Sequence, residues 1–196
     1  SWQLIFYGLA VYSVIVLLLV TKHLPEVVRI SAAQGEQVSF LTRYKIIFSN
    51  SEARLDIISS MMISLAFFAY ITAIPFVYLT VFQVSEFSFS LLFGINVLAL
   101  MTAHFINTRL VVRKGSRKML WYGLILSVSA STALLLANLF SMSLVFTVLS
   151  ILPLMGSISM VAVNSDALVI TKFPEQSGTA TAVIGTLRFG IGALAG

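Results

Sequence analysis

Long stretches of this chain carry no formal charge: Ser1 to Thr21, Ile57 to Ser85, Phe87 to Thr108 and Met119 to Ser165 contain no Asp, Glu, Lys or Arg. Divided at their turns, they give runs of about 20 residues, the length at which an α-helix rising 1.5 Å per residue crosses the hydrocarbon of a bilayer. An isolated strand would leave its N–H and C=O groups unpaired there. A closed barrel would need segments of about ten residues alternating in polarity. These runs are longer and do not alternate, so the expected fold class is all-α and the chain a polytopic membrane protein.

The composition agrees. Of 196 residues, 59% are hydrophobic and 10% are charged, with a mean hydropathy of +1.01. A soluble domain carries about 25% charged residues, and a chain this apolar would expose more hydrophobic surface than water tolerates. The length allows about six helical spans. The absence of cysteine removes disulfides, thiolate metal sites and cysteine nucleophiles. The two histidines, His23 and His104, lie far apart and not in a zinc-ligand spacing. No metal or cofactor is expected. The chain starts at Ser1 without Met and ends at Gly196 inside an apolar run, so a fragment of a longer protein is expected.

The first span is expected over Leu4–Val20, with Trp2 at headgroup level and Leu24-Pro25-Glu26 ending the helix. A polar loop follows to Asp56, with an amphipathic surface helix around Phe40–Phe48. Further spans are expected over Ile57–Val81, Phe89–Thr108, Met119–Ala137 and Leu144–Ile170, the last kinked near Pro153 and Gly156. A sixth begins near Thr179 and is cut at Gly196. Three regions result: a span over 1–24, an inter-half loop over 25–56 and a helix bundle over 57–196. The connections Lys22–Arg54, Arg109–Lys118 and Lys172 hold 11 of the 12 Lys and Arg residues, whereas Gln83–Ser88 and Asn138–Ser143 hold none. The positive-inside rule places the first set in the cytoplasm. The net charge of +5 is then topological. A nucleic-acid partner is not expected, because no stacking aromatics interleave the basic loop.

Several segments in this order resemble one family. Trp2-Gln3-Leu4-Ile5-Phe6 leading to Leu24-Pro25-Glu26 resembles the sixth span of major facilitator drug exporters. Phe68-Ala69-Tyr70-Ile71 and Pro75-Phe76-Val77-Tyr78 resemble the seventh span of the Bcr/CflA multidrug efflux subgroup. Phe93-Gly94-Ile95-Asn96 and Arg109-Leu110-Val111-Val112-Arg113-Lys114-Gly115 are similar to its eighth span and following loop. Ser177-Gly178-Thr179-Ala180 and Gly185-Thr186-Leu187-Arg188-Phe189-Gly190 are similar to its eleventh. The resemblance implies the second half of a major facilitator fold, with the first five spans and the twelfth missing. The basic loop departs from the family's Gly-x-x-x-Asp-Arg-x-Gly-Arg-Arg signature, since Asn107 and Thr108 precede it and it contains no Asp.

Transporters of this kind bind substrate near the bilayer midplane, between their halves. Ser60, Ser64, Phe67, Ile71, Pro75 and Tyr78 share one helix face; Asn96, Leu100 and Asn107 share another, with His104 at its edge; Ser157, Met160 and Asn164 share a third. Such polar groups also serve as glue between membrane helices. The larger and deeper ones, Tyr70, Tyr78, Asn96 and Asn164, are the candidates for a substrate cavity. His104 is a candidate for proton coupling, against the alternative of a satisfied interfacial histidine. Arg188 lies ten residues past Gly178, about 15 Å along the helix, where a guanidinium is costly unless paired or hydrated. It is expected to face the cavity and bind an anionic group or tune a carboxylate, the alternative being a structural ion pair. Asp166, the only acid inside an expected span, has two possible partners: Arg188, or Arg113 or Arg117 in a cytoplasmic latch. The latch is the preferred reading, with Asp166 away from the cavity.

The resemblance implies a secondary active transporter in the inner membrane, coupled to protons and exporting small amphiphilic drugs. The alternative is a major facilitator transporter of a small anionic metabolite or sugar. An enzyme is not expected, since no cluster of acids, histidines and a nucleophile is present. The expected partners are substrate, protons, the lipid bilayer and the missing N-terminal half.

Overall fold

The computed structural model describes residues 2–23, 40–141 and 143–194. The expected helix stop at Leu24-Pro25-Glu26, the loop through residue 39 and the side chain of Trp2 lie outside the described residues. The chain divides into two units, Ser1–Val38 and Ser39–Gly196. The first carries helix α1, Trp2–His23, uncharged until Lys22 and apolar on all sides. The second carries α2 (Phe40–Ser49), α3 (Ser51–Pro75), α4 (Glu86–Lys114), α5 (Ser116–Leu139), α6 (Leu144–Lys172) and α7 (Ser177–Gly192). No strand occurs among the described residues. The helices α1, α3, α4, α5 and α6 are long and apolar enough to cross a membrane. The sixth expected span is α7, whose 16 described residues extend only about 24 Å.

Boundaries differ from expectation where polar residues serve as caps. Asn50 accepts a hydrogen bond from the Ala53 N–H at 2.9 Å, so α3 begins at Ser51 and carries Asp56 inside the helix. The capping oxygen satisfies an amide that the first turn leaves free. The expected basic loop is likewise mostly helix. α4 runs through Arg109 and Arg113 to Lys114, and α5 starts at Ser116. Gly115 alone turns the chain, at φ +79°, a conformation open to glycine without a Cβ penalty. α6 continues as one helix across Pro153. After Pro75, which has no N–H to donate to the previous turn, α3 passes into a π-helical segment, Phe76–Val81. There the Phe82 N–H reaches the Val77 carbonyl at 3.0 Å.

α6 is the hub of the second unit, packing against α3, α4, α5 and α7. Its buried residues surround the helix, among them Ile151, Met155, Ile158, Val161 and Val169. Glycines and small residues let its neighbours approach: a Cβ on Gly123 of α5 would meet Val161 Cγ2 at 2.9 Å and the Val161 backbone N at 3.2 Å. At the basic end, α2 packs against α3 and α7. Ile47 is fully buried in a cluster with Ile57, Val169, Ala180 and Val183, so this stretch is docked on the bundle.

Gly123→Ala is expected to destabilise the protein by about 1–3 kcal/mol, the usual cost of overpacking. Gly94→Ala, whose new Cβ would meet nothing within 4 Å, should not. Thermal unfolding of the two variants side by side in detergent tests this, and equal melting temperatures would contradict the close α5–α6 contact.

Candidate functional site

Arg188 stands on α7, 11 residues beyond Ser177. Side chains lean toward the N-terminus of their helix, and Arg188 reaches α6 this way. One terminal nitrogen donates to Asp166 Oδ2 at 2.7 Å and to Ser60 Oγ at 2.9 Å. Ser60 Oγ in turn donates to Asp166 Oδ1 at 2.7 Å. Three helices, α3, α6 and α7, thus meet in one closed polar triangle. The preferred cytoplasmic latch between Asp166 and Arg113 or Arg117 is therefore corrected: Asp166 pairs with Arg188. Asp166 lies six residues before the end of α6 at Lys172, about 9 Å inside it, closer to Arg188 than to the basic turn. Arg188 Nε is buried and makes no hydrogen bond.

Arg188 borders an apolar cavity of about 270 Å³, walled by Phe67, Phe68, Leu100 and Phe189, with Ser64 and Ser159 as the other polar groups. That is just under the roughly 300–1,000 Å³ of small-molecule sites. His104, an exposed residue of α4, meets Ser159 Oγ at 3.2 Å, which ties it to the cavity wall.

The other candidates lie elsewhere. Asn96 Nδ2 donates to the Tyr70 hydroxyl at 2.8 Å and to the Tyr78 hydroxyl at 3.4 Å, which joins three of the expected residues in one cluster. Tyr70 stacks with Phe93 and Tyr78 meets Phe89 edge-on. Asn96 is 1% exposed and Tyr78 0%, so neither faces an open cavity in this chain. Tyr70 borders a second hollow of about 280 Å³ beside Ala66, Ala69 and Ala73. Asn164 is also corrected: it is 1% exposed, and its amide donates to Asn107 Oδ1 and the Met160 carbonyl, both at 2.7 Å. Its amide nitrogen holds α4 to α6.

One charged centre was not expected. Asp56, 1% exposed, accepts from Arg117 at 2.6 and 3.0 Å and from Lys172 at 3.1 Å. Lys172 also pairs with Glu52 at 3.1 Å. The residues Glu52, Asp56, Ser60 and Ser64 recur every fourth position, a polar ladder along one face of α3. That spacing is the signal that identifies Asp56 as a helix residue. Arg113 is exposed and takes no part. Among the described residues, no three His, Asp or Glu are grouped to hold a metal.

Removing the carboxylate leaves Arg117 without its counter-ion and Lys172 with Glu52 alone. Asp56→Asn is therefore expected to cost about 1–3 kcal/mol, since three charge-assisted hydrogen bonds are weakened while Arg117 stays partly in contact with solvent. Arg117→Gln should cost less, because Lys172 still neutralises Asp56. Chemical unfolding or thermal melting ranks the two, and the reverse order would show that Asp56 is not the centre of the cluster.

The sequence matches the Major Facilitator Superfamily over residues 1–196. It is 24% identical to a bicyclomycin resistance protein homolog of Haemophilus influenzae, over all of this chain and 49% of that protein. It is 33% identical to YdgK, an uncharacterized MFS-type transporter of Bacillus subtilis, over 65% of this chain and 32% of that protein. No solved structure matches it significantly. The chain spans about half the length of the first of these relatives and a third of the second. With its apolar membrane-length helices and its match from first residue to last, the chain belongs to the Major Facilitator Superfamily, a family of transporters and not of enzymes.

Proposed function

We propose that this chain is the second half of a proton-coupled exporter of small amphiphilic drugs in the inner membrane, with its basic connections on the cytoplasmic side. The observation that carries this reading is the apolar, aromatic-walled cavity whose one charged group, Arg188, is already neutralised by Asp166. A cavity of that kind favours apolar bodies of many shapes over a fixed polar pattern. The name of the Haemophilus influenzae relative, a bicyclomycin resistance protein homolog, agrees. An anionic metabolite or sugar acid is less well served, because the charge that would clamp it is already balanced by Asp166.

In this reading Asp166 takes part in coupling. Protonation at Asp166 removes its charge from the triangle with Ser60 and Arg188, weakens the tie between α6 and α7, and shifts the population between inward- and outward-open states. His104 adjoins the same cavity through Ser159 and is the second titratable group within reach. Arg117, with Asp56 and Lys172, ties α3, α5 and α6 at the basic end and acts as a gate. Tyr70, Tyr78 and Asn96 form a separate hydrogen-bonded aromatic cluster that joins α4 to α3 and its π-helical extension.

The test uses vesicles containing the complete transporter, a lipophilic drug and a pH-sensitive dye. Drug-driven proton movement is expected in the wild type. In Arg188→Ala at matched expression it should fall by about tenfold, within the 1–3 kcal/mol of typical coupling energies. No proton signal with any drug, together with uptake of a small anion, would replace this reading with the metabolite transporter.

A further inference from the structure

α4 presents one continuous outward stripe. Leu98, Met101, Phe105 and Val112 are all exposed along it, with Arg109 and Arg113 at its end. The spacing of three or four residues keeps them on one face. The Arg109 guanidinium carbon lies 5.1 Å from the centroid of the Phe105 ring, so the ring supports it. Thr108, Arg109, Val112 and Arg113 line an open notch. The two arginines are one helical turn apart, about 6 Å.

Among the described residues these cations have no salt-bridge partner. Among the described residues, the carboxylates of Glu52, Asp56 and Asp166 are taken by Lys172, Arg117 and Arg188. Glu86 begins the opposite end of α4, and Glu175, in the turn before α7, forms no ion pair with a described residue. Arg109, Arg113, Lys114 and Lys118 therefore form no ion pair among the described residues, and Lys114 sits 4.9 Å from the Tyr122 ring. Positive charge thus accumulates where the uncharged run Phe87–Thr108 and its apolar stripe end. A guanidinium presents parallel N–H groups that match a phosphate. The apolar stripe leading away from the notch distinguishes a lipid from a soluble anion, which would need the charges alone. Basic pockets at the membrane surface are a recognised setting for anionic headgroups.

We propose that Arg109 and Arg113 hold the phosphate of an anionic phospholipid whose acyl chains lie along Phe105, Met101 and Leu98. The site is separate from the cavity at Arg188 and does not depend on which substrate is carried.

The complete transporter in mild detergent is titrated with phosphatidylglycerol and, separately, with phosphatidylcholine of the same acyl chains, and bound lipid is read by native mass spectrometry. Phosphatidylglycerol should be retained preferentially, and Arg109→Gln/Arg113→Gln should weaken it roughly tenfold or more. Lys114→Gln/Lys118→Gln removes equal charge and should weaken it much less. Equal loss in both pairs would reduce the effect to net charge and overturn the site. Full displacement by inorganic phosphate or glycerol phosphate would reassign it to a soluble anion. A photoreactive phosphatidylglycerol should label the segment from Phe105 to Arg113. Labelling confined to other segments would mean that the rest of the transporter covers this face, and would also overturn the proposal.

Discussion

A carboxylate or guanidinium withdrawn from water loses several kcal/mol of solvation unless an opposite charge and hydrogen bonds meet it. In this chain that constraint decides which helices stay together. Asp56 and Asp166 are the two carboxylates carried inside apolar helices, and each is met by cations from other elements. Asp56 joins α3 to α5 and α6 through Arg117 and Lys172. Asp166 joins α6 to α7 and, through Ser60, to α3. The polar ladder of α3 thus faces the cations that neutralise its acids.

Hydrophobic burial supplies less direction in such a molecule. Lipid tails are as apolar as the side chains, so helices gain little by hiding leucines from them. Close packing and polar pairs take over. Gly123 lets α5 lie against Val161. The Asn164 to Asn107 hydrogen bond holds α4 to α6. Outward faces remain apolar, as Leu98, Trp121, Ile125 and Phe146 illustrate.

The same interactions tie the helices at two levels. The Asp166–Arg188 pair joins α6 to α7 beside the apolar cavity. The charge cluster around Asp56 is a second tie, about two turns from Ser64 along α3. The π-helical turn after Pro75 brings the Tyr78 hydroxyl beside Asn96, so the irregularity in the helix serves the polar contact.

Much of this was legible in the amino acids. The uncharged runs determined an all-α membrane protein, because only helices satisfy their own backbone in hydrocarbon. The depth of Arg188 marked it as a residue that needs a partner. The partners themselves were decided in three dimensions. Asp166 could pair with Arg188 or with the basic turn; the packing of α7 on α6 brings Arg188 to 2.7 Å, while Arg117 goes to Asp56. Asp56 read as the end of a loop until the Asn50 cap placed it inside α3. Asn164 had the size and depth of a cavity residue, yet its amide is spent on Asn107. Sequence states which side chains hydrocarbon will not tolerate alone; which neighbour relieves each of them depends on how helices distant in the chain are brought side by side.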